Sequence, residues 1–564
     1  MRILPRLAAL SAAVAALAGM AGAQVALPDP VESTPLATDV FSTGMLQRSQ
    51  GALPPTLWTG SDADTLAFLL DNAPARPAQP SLGRALRRIL LSPGPGPEGA
   101  PATLGGKKLL ALARAGFGEE ARTIASLSNA DRNGPWVARA LALADLLHGE
   151  TSAACRRGAN LSAGRDEIFW VKLRVFCYAQ AGERDAADLT LAILRDRGAL
   201  DETDAALLAA ATTGMAPKSS PLPRNALHFA IYKSLGAPLT PALLSEADAG
   251  VLKAVASDAA FDIATRIAAA EQASAAGAMD GAALAALFQS FTLDVADVGR
   301  AADIAAARPG DPLTDALLYQ AISEMNAPEF LRDKAIRIAQ ALGVADSFAR
   351  AYALAILYAD EVNALEGALL SSDEAGRFAL ARMAVGDGAG AGRWLFAMKD
   401  AEDLGAMAEA DAMAFIELVN LLAVLDPASA AIVADSAGVM IAETPAGGLA
   451  PSVAAPEDDP ALAGVVEAAF DAALDGETGQ AALAALAASP PQAAGDGGVR
   501  DVVVMQSLRA AGLEDVRRRL AFELAWAARA PTQTPPPAAP APEAAAAEEE
   551  GGLMPRLKPP RKKS

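Results

Sequence analysis

Histidine is nearly missing from this chain, with only His148 and His228 among 564 residues. Zinc sites and serine-hydrolase triads therefore have little to draw on, and no HExxH, GxSxG or CxxC motif occurs. His148 follows "ALADLL" at an expected helix end, where a positive side chain suits the dipole. His228, in "NALHFAIYKSL", reads as a packed or half-exposed helix position. Cysteine is equally scarce: Cys155 and Cys177 are the only two. Aromatic residues make up 5% of the chain, β-branched residues are few, and no sustained alternating run appears, which leaves a β-sheet without a source. After the first residues, no stretch offers eighteen uninterrupted apolar side chains, so no membrane span is expected in the processed chain.

Alanine and leucine fill the space left by these absences. They carry most of the 52% apolar content, and both lose little on entering a helix. The expected fold class is all-α. Arginine (36) outnumbers lysine (11), which with abundant Ala, Gly and Pro fits a GC-rich bacterial genome. The opening "MRILPRLAALSAAVAALAGMAGAQ" has the form of a secretory signal over residues 1–23. Arg2 and Arg6 are its basic region, Leu7 to Met20 its apolar core, and Ala21-Gly22-Ala23 its cleavage site. No cysteine follows, which excludes a lipoprotein anchor. The expected compartment is the periplasm. Removing the two leader arginines moves the formal charge from −20 to −22. Such acidity argues against a nucleic-acid partner, because phosphates would be repelled.

Residues 24–60 hold several prolines and little periodicity, and read as an extended arm. Ser61 with Asp64 then resembles a capping box. Close-spaced helix pairs are expected over 61–200 and further helices over 201–445. In "NAPEFLRDKAIRIAQALG", Asn326 is the expected cap and Gly343 the end. "TPAGGLAPSVAAPEDDP" breaks the pattern and places a linker at 446–460. A C-terminal helical segment follows over 461–530. The tail 531–564 is Pro/Ala-rich and expected to be disordered. Its basic end (Arg556, Lys558, Arg561, Lys562, Lys563) reads first as a solvated terminus, and alternatively as an electrostatic hook for anionic lipid or a partner.

One local pattern recurs. "LARAGFGEEARTIA" (112–125) and "LRAAGLEDVRRRLA" (508–521) align without gaps, and the stretch ending in Ala181-Gly182 is a looser copy. Glycine after alanine fits a helix ended by a left-handed residue, with acidic residues opening the next helix. Repeated hairpins of this kind are the unit of an α-solenoid. "FWVKLRVFCYAQAGERDAADLTLAILRDRG" resembles a tetratricopeptide (TPR) repeat: Trp170 and Leu173 stand three apart, and Ala186 falls at the small-residue position of the second helix. It departs from that family at Cys177, at Thr190 and in lacking the closing proline. The chain is also similar to alanine-rich exported bacterial proteins that pair an "LPPTLWTG"-like opening with an "FWVKLRVFCYAQAG"-like helix. That resemblance implies compartment and architecture but no activity.

Motifs that would carry chemistry are weak. "GPGPEG" fits GxGxxG only formally, with prolines in the variable positions. "GDGAGAGRW" could offer amides to an anion but reads as a turn between repeats. Cys155 and Cys177 flank the start and end of one helix, and antiparallel packing would let them meet. A disulfide is expected, stabilising the fold by roughly 3 kcal/mol. Trp58, Trp136 and Trp394, exposed-looking in loops or at helix starts, are candidate contact residues, with a place in the core as the alternative for each. The expected function is a non-enzymatic periplasmic scaffold or protein-binding module of the cell envelope, with protein partners, no cofactor and no metal. The rivals are an envelope enzyme with carboxylates on a concave face, for example one acting on peptidoglycan, and an accessory of a motor or secretion machine.

Overall fold

The computed structural model describes residues 39–529 except 218–219, 309, 366–369, 402–408, 443–463, 465–470, 473–474 and 489–498. The chain divides into two units, Met1–Thr38 and Asp39–Ser564, and the first lies outside the described residues. So do the expected signal peptide, the linker at 446–460 and the tail at 531–564. Among the described residues every regular element is a helix, as the Ala/Leu composition dictates.

Nine helices fill the first part: α1 (Ala63–Asp71), α2 (Pro80–Leu91), α3 (Thr103–Arg114), α4 (Gly118–Leu127), α5 (Pro135–Leu147), α6 (Thr151–Ala159), α7 (Ile168–Gln180), α8 (Arg184–Asp196) and α9 (Glu202–Thr213). Three hairpins in this stretch share one turn. Gly116, Gly149 and Gly182 lie 33 residues apart and all sit in the left-handed region, at φ 93°, 77° and 78°. A side chain there would be strained, so glycine ends α3, α5 and α7. The next residue's amide then reaches back five positions: Phe117 to Leu112 (2.9 Å), Glu150 to Asp145 (2.8 Å), Glu183 to Tyr178 (2.9 Å). Those bonds satisfy carbonyls that a helix end leaves orphaned. The sequence copy at 508–521 behaves identically, with Gly512 left-handed and Leu513 bonded to Leu508 at 2.8 Å.

The middle contains α10 (Ala226–Leu235), α11 (Ala249–Ser257), α12 (Ile263–Ala275), α13 (Gly281–Ser290), α14 (Val295–Val298), α15 (Ala301–Ala307) and α16 (Pro312–Ser323). It continues with α17 (Leu331–Gly343), α18 (Phe348–Ala364), α19 (Ser372–Ala384), α20 (Gly388–Ala401), α21 (Glu409–Leu425) and α22 (Pro427–Ala437). The last three are α23 (Thr478–Ala488), α24 (Val499–Ala510) and α25 (Glu514–Ala527). Two expected caps differ. Asp62, not Ser61, caps α1 by accepting the Thr65 amide at 2.8 Å. Asn326 does not cap α17: Pro328–Phe330 forms a 3-10 turn, α17 starts at Leu331, and the Asn326 side-chain amide donates instead to the Ser323 carbonyl at the end of α16 (2.8 Å).

The described part of the expected arm, 39–60, has little regular structure but is not free. Val40, Phe41, Leu53, Leu57 and Trp58 are buried in the core. Lys108, fully buried on α3, donates from Nζ to the carbonyls of Phe41 (2.6 Å) and Thr43 (2.8 Å). Burial pushes its amine down to about 7, against the pull of Asp39.

The C-terminal helices fold back onto the first ones. α23 packs on α1 and α2, and α25 packs on α2 and α21. Glu523 on α25 accepts from the Ser81 amide (2.9 Å), the Ser81 hydroxyl (2.6 Å) and Arg84 (2.9 Å). The Gly479 amide donates to Leu57 at 2.9 Å, and the Asp62 amide to Gln480 at 3.0 Å. Gly83 on α2 lies against the end of α12, where a Cβ would collide with the Ala276 carbonyl. Glycine alone permits that approach.

Candidate functional site

A cleft of about 350 Å³ opens where α17, α18, α19, α21 and α25 converge. Its floor is apolar: Ala351, Ala355, Leu380, Met398, Leu418 and Trp526. Trp526 is fixed by an edge contact with Phe348, ring centres 5.4 Å apart, and by Phe522 at 5.6 Å. The rim is charged. Arg377 bridges Asp373 at 2.6 Å and donates to the Ala339 carbonyl at 2.9 Å, while Arg529 pairs with Glu417. Asp411 completes a rim of three carboxylates and two guanidiniums. An apolar floor with a charged border is the arrangement of a site that takes large side chains and orients them by charge. The floor has room for a few such side chains, not for a whole helix.

A second cleft of about 350 Å³ is polar and lies between the turns at Gly116 and Gly149 and helix α11. Glu119, His148, Lys233, Lys253 and Asp258 line it. These groups are engaged with one another. His148 sits 2.8 Å from Glu119 through Nε2 and 2.7 Å from the Ala144 carbonyl through Nδ1. Lys233 pairs with Asp258 at 2.5 Å, and Lys253 donates to Gly116 at 3.1 Å.

His228 is buried and ties α10 to α9. The Arg224 amide donates to its Nδ1 (3.3 Å), so Nε2 carries the proton and donates to Asp204 (3.0 Å). Lys172 donates to the same carboxylate at 2.6 Å. Burial works to raise Asp204, but these two donors outweigh it and hold the group at about 2.

Two acids raised by burial lie inside the packing, where α12, α16 and α18 meet. Asp315 and Arg350, 0% and 2% exposed, form a two-pronged ion pair with both bonds at 2.7 Å. Glu271 lies beside them. Burial, with the charge of Asp315, raises its carboxyl to about 8 against the pull of Arg350, so the acid is neutral at pH 7. Glu271 Oε1, Ser274 Oγ, Arg350 Nη1 and Tyr358 Oη are buried without a hydrogen-bond partner. None of these residues lines either cleft.

Of the candidate contact residues, Trp58 and Trp394 are corrected to core. They are 1% and 3% exposed and pack edge-on against Phe41 and Phe378. In an alanine-rich interior a tryptophan supplies bulk that its neighbours cannot. Trp136 stays half-buried, with the Lys107 ammonium 4.6 Å from its ring centre. Arg556, Lys558, Arg561, Lys562 and Lys563 lie outside the described residues. "GDGAGAGRW" opens α20, and Asp387 itself accepts the Gly390 amide (2.9 Å), filling the place an anion would take. Cys155 on α6 and Cys177 on α7 are disulfide-bonded, Cα atoms 5.7 Å apart. Trp526 escaped the sequence reading because it sits inside a helix, not in a loop or at a helix start. The signal was its place one helix turn after Phe522, on the helix that continues the hairpin copy at 508–521.

Among the described residues no group of three or more His, Cys, Asp or Glu side chains gathers as metal ligands would. No helix among them is long and apolar enough to cross a membrane. Compared with known proteins, the chain matches no family model, no curated protein and no solved structure.

Proposed function

We propose that this chain is an exported, non-catalytic helical-repeat module of a bacterial cell envelope. It receives a segment of a protein partner in the cleft floored by Leu418 and Trp526. The cleft carries the reading: a preformed apolar floor bordered by more carboxylate than guanidinium selects large apolar side chains flanked by basic residues. The disulfide fits an oxidising compartment, and the leader-like opening fits export to the periplasm. The 33-residue recurrence of hairpin turns supports a solenoid-like, TPR-like build in the first half.

The test is a panel of short fluorescent peptides with paired apolar residues and basic, neutral or acidic flanks, titrated onto the intact protein. Basic flanks should bind best, and Leu418→Glu should abolish binding at temperatures where the variant's melting curve still shows it folded. Equal binding of all flanks, or binding indifferent to Leu418→Glu, would sink the reading.

A further inference from the structure

The geometry points to a built-in occupant of the cleft: we propose that the chain's own C-terminal end docks there, placing Leu553, Met554 and Leu557 on the apolar floor and its basic residues against the acidic rim. This rests on the reading that the cleft takes apolar side chains with a basic flank.

Three features single out this occupant. Trp526 and Arg529, the latter the last described residue, both line the cleft. From Arg529 to Leu553 the chain runs 24 residues. A chain of that length can span at most about 74 Å at about 3.1 Å per residue, which is ample for a return to the cleft. The tail's composition matches the cleft. Leu553, Met554 and Leu557 are the only large apolar residues in 531–564; Arg556, Lys558, Arg561, Lys562 and Lys563 interrupt or follow them on the C-terminal side, while Glu548, Glu549 and Glu550 precede them across Gly551-Gly552. The rim carries Asp373, Asp411 and Glu417 together with Arg377 and Arg529, which pair with Asp373 and Glu417, so it exceeds neutrality by one carboxylate.

Tethering does the rest. A short flexible tether gives an effective concentration of about 1 mM, so a segment binding at about 0.1 mM as a free peptide fills its site some nine-tenths of the time. External partners must then displace the tail. The docked end is an autoinhibitory contact that sets a threshold for binding.

The experiment uses the full chain with Leu557→p-benzoylphenylalanine, irradiated at low protein concentration, with the cross-linked peptides identified by mass spectrometry. Residue 557 should link within the same chain to peptides of α19, α21 and α25. The pair Asp411→Lys and Glu417→Lys, both on the rim, should cut that yield about fivefold. Links scattered over the body, links between two copies, or a yield untouched by the charge reversal would overturn the proposal. The failures are separable. If residue 557 links elsewhere while external basic peptides still need Leu418, the self-docking is wrong and the cleft reading stands. If residue 557 reaches the cleft and no external peptide binds, the tail is the occupant and the partner reading is wrong.

Discussion

Replacing Glu271 by glutamine removes one proton equilibrium from the core while keeping the shape of the side chain. In the folded chain burial and Asp315 raise that carboxyl from 4.5 to about 8. Between those two values the folded state holds a proton that the unfolded state has released. Stability contributed by this group is therefore complete below pH 4.5 and is lost as pH rises through 8. At 1.36 kcal/mol per pKa unit the loss is about 3–5 kcal/mol. Glutamine does not titrate. Glu271→Gln should match the parent at pH 5 and exceed it by about 3–5 kcal/mol at pH 9. Urea unfolding of both chains at the two pH values reads the difference directly, and slopes common to both cancel. The companion change Asp315→Asn leaves Arg350 buried without its partner and should cost about 3–5 kcal/mol at pH 6. The loss should shrink at pH 9, because the Glu271 carboxyl, freed from the Asp315 charge, ionises and takes over as counter-ion. A parent and a Glu271→Gln variant whose urea midpoints move together from pH 5 to pH 9 would refute the reasoning.

Lys108 has the opposite sign. Its folded amine is neutral above about 7 while the unfolded one stays protonated to 10.5, so its contribution grows as pH rises between those values. Lys108→Met should flatten that slope in urea titrations and, having lost the Phe41 and Thr43 carbonyl bonds, expose residues 39–43 to protease. Cys177→Ser should lower stability by about 3 kcal/mol and leave peptide binding at the cleft intact; two free thiols in a non-reducing peptide map of the exported protein would contradict the bond. Glu523→Ala strips α2 of three hydrogen bonds and should cost about 2–4 kcal/mol, with hydrogen exchange accelerating in α25 and at Ser81 before it does in α7.

Local rules carried the sequence a long way. Ala-Gly pairs at 115–116, 181–182 and 511–512 announced three hairpin turns, and each glycine is left-handed. Cys155 before α7 and Cys177 near its end announced a bond that the packing of α6 against α7 makes. These signals survive because they depend on neighbours in the chain, such as a helix end or one hairpin's closure. The errors have a different origin. Trp58 and Trp394 looked exposed because they follow or precede turns, but burial is decided by helices far away in sequence. Asp62 took the cap from Ser61 because its side chain, not the serine hydroxyl, meets the Thr65 amide.

The cleft was invisible for the same reason, carried further. No stretch between Leu342 and Arg529 encodes it, since each of its helices lends only a few side chains. It exists because α25 returns to α2 and α21, and that return is fixed by Glu523 and Ser81, 442 residues apart in the chain. A hairpin read alone, as "LRAAGLEDVRRRLA" was, predicts its own turn but not the surface its second helix completes. Trp526 is therefore both the last buried aromatic of the core and the first residue of a site. If Glu523→Ala weakens peptide binding at Leu418 in proportion to the undocking of α25, closure of the fold and formation of the cleft are one event. If binding holds while α25 exchanges freely, the floor is built by α19 and α21 alone, and the tail has no reason to emerge beside it.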